Sequence, residues 1–342
     1  MELNYTLGAS RDKILNHQTV RAVTLALLVV STPLTIALNI VVLVACKRLK
    51  RVQAHYLVMN TAIADLFVGL ISNTTLIAGI STCLQNSKYH DLEKMWEIPC
   101  HFVGPLSTMF VYASYMTLSC IALDRCLVVI YGARYKGTVT KNVIKIEILI
   151  SWLLSILLAF LGPQVFGLTK IIYSFHPPES MCVVVEAALV ASDVMHKSET
   201  AKHTTIRDSN FSIMESILSM YLPFIILVTS SVVLVILLQI RKTGKRSDIV
   251  SRSCRTVLLM IGGYLLCSTP YAITPLHSKI SPETYLVFRF LLQVHCMFTP
   301  IIYILRDTSF RRAISIRKKK TSPSYCSYFV TYVKERDTNL TK

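Results

Sequence analysis

The apolar residues of this 342-residue chain are gathered into seven long runs, and nothing else in the sequence limits its fold so tightly. The runs lie at 22–46, 54–80, 101–131, 143–167, 211–240, 254–276 and 284–305. Each has the roughly 20 residues needed to cross a hydrocarbon core. Inside lipid no water is available to backbone N–H and C=O groups, so an apolar span must satisfy them within itself as a helix. The expected fold is therefore all-α, a seven-transmembrane helix bundle. The fifth run is the clearest, with no charge between Ile217 and Ile240, while Asp65 and Arg289 interrupt the second and seventh.

Composition agrees: 53% of residues are hydrophobic, 16% are charged and the mean hydropathy is +0.52, which excludes an ordinary soluble domain. Basic residues set the orientation. Lys47, Arg48, Lys50 and Arg51 follow the first run, Arg134, Lys136 and Lys141 the third, and Arg241, Lys242, Lys245, Arg246, Arg252 and Arg255 lie between the fifth and sixth. Connections on the other side mix lysines with Asp91, Glu93, Glu97, Glu179, Asp193 and Glu283. By the positive-inside rule the N-terminus is outside and the C-terminus in the cytoplasm. The expected organisation is an extracellular segment 1–21, a membrane domain 22–305, and a cytoplasmic helix and tail 306–342, in a multi-pass protein of the plasma membrane. The net charge of +17 then reflects topology, and no nucleic-acid partner is expected.

The first run follows His17-Gln18-Thr19-Val20-Arg21 and is too long for a signal-peptide core, so it reads as a retained helix. Asn4-Tyr5-Thr6 is a glycosylation sequon on the outer side. Of ten cysteines, this topology places Cys83, Cys100 and Cys182 outside, where disulfides persist, and the rest in helices or the cytoplasm. A Cys100–Cys182 bridge would pin the long second outer loop to the third run, but Cys83 competes and connectivity stays open. No Cys/His spacing along the chain resembles a zinc site.

Particular residues stand in a telling order: Asn39 in the first run, Ala64-Asp65 in the second, then Cys100, Ser114 and Asp124-Arg125 in the third. Trp152 and Pro163 lie in the fourth, Cys182 in the outer loop, Pro223 in the fifth and Cys267-Ser268-Thr269-Pro270 in the sixth. Thr299-Pro300-Ile301-Ile302-Tyr303 ends the seventh, and Phe310 follows seven residues later. In this order and spacing the chain resembles a divergent rhodopsin-like (class A) G-protein-coupled receptor over nearly its whole length. The resemblance implies a receptor that converts an extracellular ligand into heterotrimeric G-protein activation, with arrestin and a receptor kinase as further partners.

Asp65 in mid-span would cost about 2.5–3.5 kcal/mol on insertion scales, so it must face the bundle and find partners, with Asn39 and Ser114 as candidates. In the family this carboxylate and the third-helix serine hold an allosteric sodium ion. The corresponding set here is Asn39, Asp65, Ser114, His295 and Thr299, the last two standing where the family has asparagines. No other cofactor is expected. Pro223, Pro270 and Pro300 each free a backbone carbonyl inside a span and ease bending. The resemblance makes Asp124, Arg125, Pro270, Pro300 and Tyr303 the activation switch, with Arg125 restrained by Asp124 until the sixth helix moves. Departures from the family are Cys126 for the tyrosine after that arginine, Val250 for an acid, Ser231 for a tyrosine, Ser268 for an aromatic and Gly132 for a proline.

Ser107 stands where amine receptors carry aspartate, and Gln293 where opsins carry the retinal-binding lysine, so neither a monoamine nor retinal is the expected ligand. The expected ligand-binding set is Ser107, Thr108, Glu215, Tyr271, Thr274, Arg289 and Gln293, with Arg289 and Gln293 on one helix face. Arg289 needs Glu215 or an anionic ligand group as its partner, unless it snorkels to the surface. Past the seventh run, Phe310, Ile314 and neighbouring arginines read as an interfacial helix, and Arg317-Lys318-Lys319-Lys320 meets membrane lipids. No arrangement of nucleophile, base or metal ligands suggests an enzyme. The alternatives are a non-signalling decoy or accessory receptor and a transporter, for which no internal repeat is visible.

Overall fold

The computed structural model describes residues 2–49, 53–85, 89–161, 170–176, 181–187, 221–240, 246–274, 280–306 and 308–314. Each of the seven apolar runs carries helix. The first span is helix Glu2–Arg48, which starts well before the apolar run because no proline interrupts residues 2–32. The second is Gln53–Phe67, a π-helical turn Val68–Asn73, and Thr74–Gln85. The third runs Tyr89–Tyr131 and stops at Gly132, whose φ of 54° is the left-handed conformation that ends a helix at least cost when there is no Cβ. A proline, with φ locked near −65°, could not take this position.

A 3₁₀ turn Gly132–Arg134 and short helix Tyr135–Thr138 lead to the fourth span. Its first turn is capped by Thr140, whose hydroxyl accepts from the Val143 amide at 3.4 Å. The span continues as Lys141–Ile156 and a π turn Leu157–Leu161. An antiparallel hairpin follows, β1 (Lys170–His176) and β2 (Met181–Ala187), with Phe175 opposite Cys182. The all-α expectation did not include it. The fifth span is described as Leu222–Ile240, and residues 211–220 of the expected run lie outside the described residues. The sixth is Arg246–Ala272 and the seventh Pro282–Arg306, followed by the amphipathic helix Thr308–Ile314.

The third span is central, packing against the second, fourth, fifth and sixth, while the first packs on the second and seventh and the sixth on the seventh. Leu57, Val111, Tyr115, Leu118, Ile121, Tyr264 and Leu292 belong to one continuous buried core. Gly69, in the π turn, lets the first and second spans close, since a Cβ there would sit 3.1 Å from Ile36 Cγ1. Polar ties reinforce the packing. Trp152 Nε1 donates to Asn60 Oδ1 at 2.9 Å, and Asn60 Nδ2 to Thr117 Oγ1 at 2.8 Å, which joins fourth, second and third spans. Phe310 is fully buried, and Arg48 donates to the Ala313 carbonyl at 3.0 Å, so the last helix is held under the first and seventh spans.

The outward faces are apolar: Val30 is 69% exposed, Leu149 57%, Leu266 75% and Leu305 65%. So much contiguous apolar surface is unfavourable in water and expected in lipid. Among the described residues, Gln18–Arg48, His55–Gln85, Ile98–Tyr131, Lys141–Phe160 and Pro282–Arg306 are long and apolar enough to cross a membrane, and Leu222–Leu237 is a shorter apolar helix.

Candidate ligand cleft and activation core

Toward one end of the bundle the second, third and seventh spans leave a cleft of about 40 Å³ lined by Ser72, Thr75, Ser107, Thr108, Arg289 and Gln293, with Leu76, Val103 and Gly104. Four of the seven expected ligand residues therefore meet in one place. Ser107 is buried with its hydroxyl unpartnered, Gln293 donates to Ser72 Oγ at 3.0 Å with its carbonyl oxygen unpartnered, and Thr108 donates to the Gly104 carbonyl at 3.0 Å. Arg289 lies 5.5 Å from the Tyr271 ring centroid, a cation–π contact. Tyr271 and Tyr285 share a 2.9 Å hydroxyl contact that links sixth to seventh spans. Thr274 turns its hydroxyl to the Tyr271 carbonyl at 2.8 Å and does not line the cleft. Glu215 lies outside the described residues.

Ser72 and Thr75 were not legible as cleft residues, because the π turn that rotates them inward leaves no pattern in hydropathy.

Deeper in the bundle Asp65 is fully buried and its Oδ1 accepts from Ser114 Oγ at 2.5 Å. Ser114 Oγ is also 3.5 Å from His295 Nε2. Asn39, the other expected partner of Asp65, points elsewhere: its Nδ2 donates to the Thr35 carbonyl at 2.9 Å and the Cys296 carbonyl at 3.2 Å. The reason is Pro300. It has no N–H to give the carbonyl four residues earlier, that of Cys296, and Asn39 satisfies that oxygen from the first span. Thr299 is buried one turn beyond His295. The His295 ring packs against Tyr115 and Tyr264 with centroids 5.2 and 5.6 Å apart, and the two tyrosines are edge to face at 5.0 Å. This polar core sits within one aromatic cluster joining third, sixth and seventh spans.

Toward the opposite end of the third span from the cleft, Arg125 Nη2 lies 3.0 Å from Asp124 Oδ2, and the Tyr135 hydroxyl donates to Asp124 Oδ1. Asp124 is 3% exposed, so its carboxylate is held on both oxygens away from water. Burial pushes the Tyr135 phenol above its ordinary range, and the Asp124 carboxylate adds to this. Cys126 donates to the Ser230 carbonyl at 3.2 Å, bonding third span to fifth where the family's tyrosine would stand. Tyr303 stacks on Phe310 with centroids 5.3 Å apart. Pro270 and Pro300 both lie inside their helices. Of the expected switch residues, Asp124 and Arg125 are in direct contact here, whereas Pro270 adjoins Tyr271, the ring against which Arg289 of the cleft packs; Tyr135 was not anticipated.

Cys100 is disulfide-bonded, and Cys83 keeps its thiol, which removes it as the competing partner. The side chains of Cys182 and Asn4 lie outside the described residues.

The family description "7 transmembrane receptor (rhodopsin family)" matches residues 37–303. The chain is 25% identical over 277 residues to rhodopsin of Sargocentron spiniferum, covering 77% of this chain and 72% of that one. It is 25% identical over 232 residues to human olfactory receptor 10P1, covering 65% and 70%. It is also 28% identical over 134 residues to an alpha-1A adrenergic receptor of Oryzias latipes, covering 38% of this chain and only 26% of that receptor's length. Among solved structures, squid rhodopsin superposes with a TM-score of 0.66 at 17% identity over 87% of this chain and 85% of that chain, a likeness of fold. Since the family match takes in most of the sequence, the chain belongs to the rhodopsin family of seven-transmembrane receptors.

Proposed function

We propose that this protein is a plasma-membrane receptor, with its N-terminus outside, that converts binding of a small extracellular ligand bearing an anionic group into activation of a heterotrimeric G protein. The observation that carries the ligand class is Arg289. Its guanidinium lies within a membrane span beside the cleft, and among the described residues it has aromatic neighbours but no carboxylate. A cation at that depth calls for an anionic partner. The cleft has several times the roughly 10–15 Å³ a single water needs, enough for a carboxylate-sized group held by the guanidinium fork. Ser107 and Gln293 offer the unpartnered polar atoms that would fix its orientation. A protonated amine finds no acid at Ser107 and retinal no lysine at Gln293.

At the other end, release of Arg125 from Asp124 would expose the guanidinium to the G protein. A Cys100–Cys182 disulfide would hold the β1–β2 hairpin over the third span, since β2 packs on that helix. Arrestin and a receptor kinase would act on the tail, where Ser322, Ser324 and Thr331 offer hydroxyls. A second reading, a receptor that binds without signalling, is supported by Ser231, which stands where the family has a tyrosine and whose hydroxyl donates within its own helix to the Leu227 carbonyl at 2.6 Å.

The test is a screen of carboxylates, phosphates, amines and neutral compounds on cells expressing the chain, with G-protein dissociation as readout and Arg289→Gln beside wild type. An anionic agonist whose potency falls at least tenfold in the variant supports the reading. An agonist unaffected by Arg289→Gln refutes the ligand class, and saturable binding without G-protein dissociation favours the decoy.

A further inference from the structure

One buried cluster is used by neither the ligand cleft nor the inner switch. Asp65 from the second span and His295 and Cys296 from the seventh place one carboxylate oxygen, one ring nitrogen and one sulfur all within 4.8 Å of one another, every one of the three residues buried. This is the region where the family resemblance implies sodium, and the donors do not suit that ion. Sodium is a hard cation best held by oxygen, whereas an imidazole nitrogen and a thiol select borderline metals such as zinc. Asn39 gives its amide N–H groups to the Thr35 and Cys296 carbonyls, and its Oδ1 is buried without a hydrogen-bond partner, an oxygen outside the three-residue cluster.

We infer that Asp65, His295 and Cys296 form a three-ligand site for a zinc-type divalent cation between the second and seventh spans.

The atoms are prepared for it. His295 Nδ1 contacts the Leu292 carbonyl, and because a carbonyl only accepts, Nδ1 carries the proton and Nε2 keeps its lone pair. That Nε2 is 3.5 Å from Cys296 Sγ, close to the separation of two ligands on a tetrahedral zinc with bonds of about 2.0–2.3 Å. Asp65 Oδ1 is held by Ser114 while Oδ2 is fully buried with no hydrogen-bond partner, an acceptor left for a cation. The second oxygen fixed by a hydroxyl is the usual outer support of a metal-bound carboxylate. Ser114 Oγ or a water completes four positions. On binding, the Cys296 S–H bond breaks, a sulfur–metal bond forms and one proton leaves to solvent. The divalent charge is then balanced by one carboxylate and one thiolate, so the filled site is neutral, which suits a dry interior.

Sequence spacing hid the site because two ligands are adjacent and the third lies in a distant span; only folding brings them together. The competing arrangement is a metal-free core in which the thiol hydrogen-bonds to the carboxylate or imidazole.

The test uses the tag-free full chain in lipid nanodiscs, stripped with a chelator and titrated with Co²⁺ and then Zn²⁺. The expected result is one cobalt per chain with a near-ultraviolet thiolate-to-cobalt charge-transfer band, displaced by one equivalent of zinc. Cys296→Ser abolishes the band, His295→Asn weakens zinc binding at least tenfold, and Cys120→Ser leaves both unchanged. No such band in wild type, or its survival in Cys296→Ser, overturns the inference. So does a rise in thermal midpoint with sodium and none with zinc. If Cys296→Ser does not fold, the wild-type spectrum and His295→Asn decide. The Arg289 reading is untouched by any of these outcomes, since it rests on a different cleft.

Discussion

Replacing Tyr135 with Phe removes a single hydroxyl from the inner end of the bundle and should raise ligand-independent signalling. That hydroxyl donates to Asp124 Oδ1 while Arg125 holds Oδ2 at 3.0 Å. A hydrogen bond to an ionised group contributes about 1.5–3 kcal/mol. Because Asp124 keeps its arginine, the low end applies, about 1.5 kcal/mol. If the contact is made in the resting state and broken when Arg125 leaves Asp124, the active fraction rises about tenfold. The measurement is basal guanine-nucleotide exchange on purified G protein with equal amounts of wild type and Tyr135→Phe in nanodiscs. Equal basal rates at equal folded protein would refute a role for this contact in holding the resting state.

The pH dependence follows with its sign. The phenol's range is raised in the folded protein, so the donor is neutral and the contact complete at every pH below the unperturbed phenol value of about 10, and it is lost only as pH climbs beyond the raised folded value. The wild-type to Tyr135→Phe ratio should therefore be flat between pH 6 and 8.

Four further substitutions probe the packing. Gly69→Leu drives a side chain into Ile36 and Thr35 and should cost about 1–3 kcal/mol, read as a lower thermal midpoint; an unchanged midpoint would mean that the first and second spans are not in close contact there. Gly132→Ala places a Cβ at a φ of 54° and should destabilise by about 1–2 kcal/mol, seen in thermal unfolding, whereas a neutral or stabilising result would contradict the left-handed stop. Trp152→Phe strands the Asn60 carbonyl oxygen, now bonded at 2.9 Å, and should cost about 1–3 kcal/mol; Asn60→Leu, which strands the Trp152 indole N–H and removes the amide that Thr117 Oγ1 accepts, should cost at least as much.

The seven helices could be read from the chain because hydropathy is a property of runs, and a long apolar run in lipid has a single backbone solution. Asp65 with Ser114 was readable too, since a carboxylate in mid-span must find a donor within the bundle. Of the two candidate partners of Asp65, Asn39 instead gives its amide N–H to a carbonyl that Pro300 frees in another helix, a relation between spans that no local pattern records. The β1–β2 hairpin lay in what read as an outer loop, although Ile171, Ile172 and Val183 to Val185 carry β-branched side chains suited to strands. The π turn that brings Ser72 into the cleft depends on how the first two spans close on Gly69. Tyr135 escaped notice because its value comes from proximity to Asp124 across the end of the third span.

The central claim is that Arg125, held by Asp124 at rest, carries the signal to the cytoplasm. Nucleotide exchange on a panel of purified G proteins, measured with the wild-type chain and with Arg125→Ala in nanodiscs, tests it most directly. A receptor of this kind accelerates exchange on at least one G protein and loses most of that acceleration in Arg125→Ala. Exchange that is undiminished in the variant contradicts the claim.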